Sequence, residues 1–114
     1  MTERPSQSIP ESRAYALLSH RRHRLIVRVL NDFDRPLSTM ELAELIADCE
    51  YENPWDQDRE NAFSALSHDH LPRLDEAEVV TYDRRRGTVR PGPAFGTLVG
   101  ILEARCAEFG PLAG

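Results

Sequence analysis

The stretch from Asp58 to Asp83, DRENAFSALSHDHLPRLDEAEVVTYD, constrains the fold more than any other part of the chain. It reads as one helix running into one strand. At about 100° per residue, Phe63, Leu66, His70 and Leu74 fall on one side of that helix, with Ala62 beside them. Gln57, Asn61, Ser64 and His68 fall on the other side. One face is apolar. The opposite face is small and polar, with hydrogen-bonding tips. A short apolar strand follows, Val79 to Tyr82, then a basic turn, Arg84-Arg85-Arg86-Gly87, then a second strand, Thr88 to Arg90. Gly87 can supply the positive φ that a tight hairpin needs.

The rest of the chain supplies helices for this unit to pack on. Residues 1–11 are polar and carry Pro5 and Pro10, which reads as a disordered lead-in. Ser12 is a candidate cap for a short helix over Ala14 to Ser19. The segment HRRHRLIVRVLNDF places Ile26, Val29, Leu30 and Phe33 at helical spacing, with Leu25 beside them. Its start carries Arg21, Arg22 and Arg24 with two histidines. Positive charge at a helix N-terminus opposes the macrodipole, so helix stability does not explain it. The arginines are either solvated charges on a long helix or a cluster facing phosphate.

Asp34-Arg35-Pro36 breaks that helix, and Pro36-Leu37-Ser38 predicts a short strand. Ser38-x-x-Glu41 is a capping box, so the next helix is expected to begin at Thr39. Leu42, Leu45, Ile46 and Cys49 form its apolar stripe, which places Cys49 in the core. Asn53 with Pro54, or Asp56, can cap the helix after that. Trp55 is expected to cover the join between these two helices. Pro72 cannot donate to the carbonyl of His68, which predicts a kink or break. Glu78 stands where a glycine would make a left-handed cap, so the turn is expected to close in another way. Pro91-Gly92-Pro93 ends the second hairpin strand. The final helix, Ala94 to Phe109, stripes Phe95, Leu98, Val99, Leu102, Cys106 and Phe109. It must pack on the hairpin side of the core, on the helix over 20–33, or on a second subunit. Ile26, Leu30, Leu42, Ile46, Phe63, Leu66, Leu74 and Val80 are expected to be buried together. Arg59 turns toward the apolar side, with its head reaching solvent.

A helix that presents a polar face over a packed back, followed by a basic hairpin, is the pattern of a helix-turn-helix with a wing. The run His70-Leu71-x-x-Leu74-x-x-Ala77-x-Val79-Val80 resembles the junction of recognition helix and wing in small winged-helix repressors of the arsenical-resistance type. Those read Ser-x-His-Leu-x-x-Leu-x-x-Ala-Gly-Leu-Val. Here His68 stands in place of the Ser, Pro72 lies inside the block and Glu78 replaces the Gly. The His-Leu-Pro-x-Leu variant, with its Arg-rich first helix, resembles more closely a family of short winged-helix domains of unassigned function from halophilic archaea. The resemblance covers roughly residues 17–92. It implies an α+β, mostly helical fold: a winged helix-turn-helix of three core helices and a β-hairpin wing, with a C-terminal helix.

Length and composition agree with one domain. The chain has 114 residues, enough to bury a core without staples. The domain proper is expected over 12–92, with 93–114 as a C-terminal helix able to dimerise. All 14 basic residues are Arg, against 19 acidic ones, for a net charge of −5. An acidic chain without Lys points to work in high salt, or to a high-GC genome. Two cysteines, Cys49 and Cys106, are too few for a disulfide framework, and a reduced cytoplasm is the default location. Neither an apolar signal region nor a membrane-length apolar run is visible.

These residues point to sequence-specific binding of double-stranded DNA for transcriptional regulation. The helix over about 57–71 would lie in the major groove. Gln57, Asn61, Ser64 and His68 line its reading face, and an Asn amide can pair bidentate with adenine. Arg84, Arg85 and Arg86 of the turn over 84–87 would hold the backbone or minor groove. Arg21 and Arg22 would meet phosphate. A homodimer is expected, because one such unit reads a short half-site. The acids weigh against this reading. From 37 to 60 one base faces eight acids, a net of −7. The alternative is a protein–protein interaction module that uses this acidic helix surface. One contiguous basic and polar surface favours DNA; interruption by acids favours the module. A Cys₂His₂ metal set drawn from Cys49, Cys106, His68 and His70 is disfavoured, because residues two apart on a helix diverge. No cofactor is expected. With no Gly-rich phosphate loop, nucleophile elbow or paired-carboxylate cleft, neither is an enzyme.

Overall fold

Six α-helices, one π-helical turn and a small antiparallel sheet make up the described residues of the computed structural model, 9–33 and 35–109, with side chains to residue 105. The class is α+β and mostly helical. Of the lead-in expected over 1–11, residues 1–8 lie outside the described residues, as do Asp34 and the side chains of Cys106 and Phe109; Glu11 already opens the first helix.

Helix α1 (Glu11–Leu18) buries Ala14, Leu17 and Leu18. Ser12 lies within it and caps nothing; the chain turns in at Pro10, whose carbonyl accepts from Arg13 and Ala14 at 3.0 Å. Helix α2 (Arg21–Asp32) buries Ile26, Val27, Val29 and Leu30. After strand β1 (Leu37–Ser38), helix α3 (Thr39–Glu50) opens on the expected capping box. Glu41 N donates to Ser38 Oγ at 2.9 Å, and Ser38 N donates to Glu41 Oε1 at 3.0 Å.

The buried face of α3 is Leu42, Ala43, Ile46 and Ala47. Leu45 is half-buried and Cys49 is exposed, so the core position expected for Cys49 is wrong. Ala43 and Ala47 are fully buried, and α3 packs against the helix that follows it. Helix α4 (Asp56–Ala65) is preceded by Trp55, not by a capping Asn53 or Asp56. Its start is held instead by Asp58, whose carboxylate accepts from Trp55 N at 2.8 Å. Acids in a first turn also suit the macrodipole. Trp55 is 77% exposed. It covers no helix join, which corrects the expectation.

The break expected at Pro72 takes the form of a π-helical turn, Leu66–His70, joined directly to helix α5 (Leu71–Glu76). Leu71 N–H reaches back to the carbonyl of Leu66. The widened turn leaves room for a proline ring that an unbroken α-helix would reject. It also advances the buried stripe: Ala62, Leu66, Ser67, Leu71 and Leu74 are buried, while Phe63 is half-buried. The other seven expected core residues are buried.

Glu78 closes α5 in the left-handed conformation, with φ of 65°. This corrects the expectation of a different closure. Val79 N donates to Leu74 O and Glu78 N to Asp75 O, both at 2.9 Å. That is the bonding of a left-handed helix cap, with buried Val79 and Leu74 as its apolar contact. Gly92 lies over it. A Cβ there would come within 2.6 Å of the Glu78 carbonyl oxygen.

Strands β2 (Val80–Asp83) and β3 (Thr88–Pro91) pair antiparallel, Tyr82 opposite Val89, and β1 pairs with β3 in the sheet order β1-β3-β2. Gly87, with φ of 66°, turns the hairpin. Its carbonyl accepts from Thr39 N at 2.8 Å, which fixes the hairpin to the start of α3. Helix α6 (Phe95–Phe109) folds back on α2 and α1. Phe95, Leu98 and Leu102 join the main core. No helix among the described residues is long and apolar enough to cross a membrane.

Candidate nucleic-acid interface

Helix α4 and the π-helical turn carry the polar face outward. Gln57, Asn61, Ser64 and His68 are all exposed, because Ala62, Leu66 and Ser67 take the opposite side into the core. Gln57 Nε2 donates to Asn61 Oδ1 at 3.1 Å, so the two amides form one unit. The remaining donors and acceptors of that unit face solvent. Glu60 is exposed on the same helix, so the face is not free of acid.

The hairpin turn places Arg84, Arg85 and Arg86 in solvent. Asp83 organises the turn: its Oδ1 accepts from Arg86 N at 3.1 Å, and its main-chain carbonyl from Gly87 N at 2.8 Å. Arg86 Nε stays 3.9 Å from Asp83 Oδ2. Strand β2 is tied to α5 by Tyr82 N, which donates to Asp75 Oδ2 at 2.8 Å. One open hollow results, lined by His68, Pro72, Arg73, Tyr82 and Arg84 together with the acids Asp69, Asp75 and Glu76. The end of the polar helix face and the root of the basic turn therefore border the same depression. Asp69 is partly offset by Arg73, at 3.0 Å.

The basic start of α2 divides. Arg21 is exposed. Arg22 makes a bidentate pair with Glu50 at the end of α3, Nε to Oε2 at 2.8 Å and Nη2 to Oε1 at 2.6 Å. It joins two helices and is not available as a phosphate contact. Arg24 donates to the carbonyls of Leu18 and Ser19, at 2.8 and 3.2 Å, and so closes the end of α1. Of the arginines that oppose the α2 macrodipole, Arg22 is thus held by a tertiary partner and Arg24 by the end of α1, while Arg21 stays exposed. Neither partner shares a periodic pattern with its arginine, so the sequence carries no signal for these contacts.

Behind the polar face lies a histidine pair. His23 is buried in α2, and its Nδ1 stands 2.9 Å from the carbonyl of Leu17. A carbonyl accepts, so Nδ1 carries the hydrogen and donates. Nε2 is then an acceptor and takes the hydrogen of His70 Nδ1, 3.1 Å away. Burial pushes the His23 imidazole down to about 4, although the Leu17 hydrogen bond acts in the opposite direction. His70 is also lowered, chiefly by burial, with Asp69 opposing. Both rings are neutral near pH 7. They fasten the π-helical turn to α2 immediately behind His68. Helical phasing places His70 on the inner face; His23 reads as part of a basic run and gives no such signal.

A family model described as a domain of unknown function (DUF7344) matches residues 15–90. No curated protein and no solved structure matches the chain.

Proposed function

The chain belongs to this DUF7344 family, a domain of unknown function, and we propose that it is a winged-helix domain that binds double-stranded DNA as a transcriptional regulator. The order of helices and strands and the sheet order β1-β3-β2 suit that fold, with α4 and the π-helical turn as recognition helix and β2–β3 as wing. The observation that carries the reading is the shared hollow: His68 at the end of the recognition face and Arg84 at the root of the wing line it together; Asp69, Asp75 and Glu76 line it too, which keeps the protein-binding module as the competing reading. A duplex seated on the helix would pass the wing arginines at once. Asn61, steadied by Gln57, is the base-reading residue; Ser64 and His68 extend the contact along the groove. Arg84, Arg85 and Arg86 hold phosphates, and Arg21 is the remaining phosphate contact from α2.

The assembly we propose is a two-fold homodimer through α6. Gly96, Thr97 and Gly100 are exposed there, beside half-buried Val99 and Ile101. Sedimentation in high salt should give twice the mass of the 13.0 kDa chain; a monomer at micromolar concentration rejects the dimer but not the DNA reading.

Anisotropy with native upstream duplex across a salt series tests the DNA reading. Asn61→Ala should lose about 1–3 kcal/mol of discrimination at one base position. Arg85→Ala should weaken binding to every sequence alike and lower the salt slope by about one ion. Binding no stronger than to random duplex, in the wild-type chain, rejects a sequence-specific regulator.

A further inference from the structure

Trp55 is the chain's one tryptophan, and it stands 77% exposed. An indole so exposed leaves a large apolar surface without the burial that stabilises it in most folds. Tyr51, 45% exposed, lies four residues earlier at the end of α3. The connection between the two spans at most about 14 Å. Trp55 does not dangle. Its N–H donates to Asp58, and its carbonyl accepts from Asp58 N at 3.0 Å and Arg59 N at 3.2 Å. The indole therefore projects from a fixed helix start, and ordering its backbone adds little to the cost of binding.

The charge around these two aromatics is mostly acidic, with Arg22 and Arg59 as the bases beside them. Glu44, Asp48, Glu52 and Asp56 are exposed along α3, the connection and the first turn of α4. Among the described residues Glu44, Asp48 and Glu52 make no ion pair, whereas Glu50 is taken by Arg22 and Asp56 lies 3.5 Å from Arg59. Phosphates are repelled from such a surface. A guanidinium fits it twice over, because it stacks on an indole face and pairs with carboxylates. In high salt the carboxylate attraction is screened, while the stacking contact persists.

We propose that the 51–55 connection is a docking site for an arginine-rich segment of a partner protein, with one guanidinium on Trp55 and its neighbours on Glu44, Asp48 and Glu52. The site lies outside the DNA-reading residues, so it stands whether or not the chain binds DNA.

A fluorescein-labelled nona-arginine peptide is the probe, and nona-lysine the control, in molar potassium chloride. The emission of Trp55 should change with nona-arginine and much less with nona-lysine. Trp55→Ala should weaken binding of the labelled peptide about tenfold, and Glu52→Gln should weaken it less. Tyr15→Ala, which removes an exposed aromatic on α1, should leave it unchanged. Trp55→Ala should melt like the parent chain, which excludes unfolding as the cause. Equal peptide affinity in Trp55→Ala and parent overturns the proposal, as does equal affinity for the two peptides. Quenching of Trp55 by oligothymidylate in place of the peptide overturns it in favour of single-stranded nucleic acid. A concentration-dependent shift of Trp55 emission without peptide overturns it in favour of a second copy, with Arg84–Arg86 as occupant.

Discussion

Acid should loosen this fold through one buried ring. His23 is 1% exposed, and its proton affinity is lowered from 6.5 to about 4 by burial. In the unfolded chain the ring keeps its ordinary value of about 6.5. As pH falls, the unfolded chain takes up the proton first. Stability is therefore complete above about pH 6.5 and is lost as pH falls toward about 4. At about 1.4 kcal/mol per unit the full depression amounts to at most about 3.5 kcal/mol. The ring's neighbour His70 keeps a side chain 14% exposed, and partial solvation of the pair reduces the expected effect to about 1–2 kcal/mol. His70 acts in the same direction. The rings share a hydrogen bond at 3.1 Å, so they titrate as a pair and not as two independent sites. Urea midpoints at about pH 7.5, 6.5, 5.5 and 4.5 measure the loss while most carboxylates stay ionised in both states. His23→Gln should cost about 1–3 kcal/mol at the highest pH, because Leu17 O or His70 Nδ1 loses its partner. It should also flatten the slope between about pH 6.5 and 4.5. A parent chain whose midpoint is flat across that range, or a variant that keeps the parent slope, refutes a buried neutral His23.

Other substitutions follow from single contacts. Glu78→Gly removes a side chain from a left-handed residue with φ of 65°; it should raise stability by about 0.5–1 kcal/mol in a urea titration. Gly92→Ala drives a Cβ to within 2.6 Å of the Glu78 carbonyl and should cost roughly 1–3 kcal/mol, read as a lowered thermal midpoint. Arg22→Ala leaves Glu50, whose side chain is 16% exposed, without its partner. It should lower the denaturation midpoint while leaving the salt slope of the proposed DNA binding unchanged; a slope reduced by one ion would restore Arg22 as a phosphate contact.

Much of the architecture is legible in the sequence, because it rests on contacts within one or two turns. Ser38 and Glu41 are three residues apart, and the capping box they form depends on nothing else in the molecule. Gly87 sets the hairpin turn, and Leu42, Ile46, Leu66 and Leu74 follow the helical repeat into the core. The same repeat exposes Gln57, Asn61, Ser64 and His68 together. Pro72 forbids a continuous α-helix, and that prohibition is chemical and local.

The tertiary structure decided how each local demand was met. Pro72 is compatible with a break, a kink or a wide turn; the Leu17–His23–His70 chain holds the wide one, and with it the buried phase of Leu71. Cys49 and Trp55 are apolar in the sequence and exposed in the fold, while Ala43 and Ala47 take the buried side of α3. Glu78 adopts a conformation suited to glycine, since the closing bonds at Glu78 and Val79 and the packed Leu74 and Val79 outweigh its strain. Arg22 finds Glu50 across 28 positions of chain. Hydrogen bonds between near neighbours are fixed by backbone geometry and can be read from spacing. Burial and ion pairing depend on which surface arrives from elsewhere, and that is settled when the helices pack.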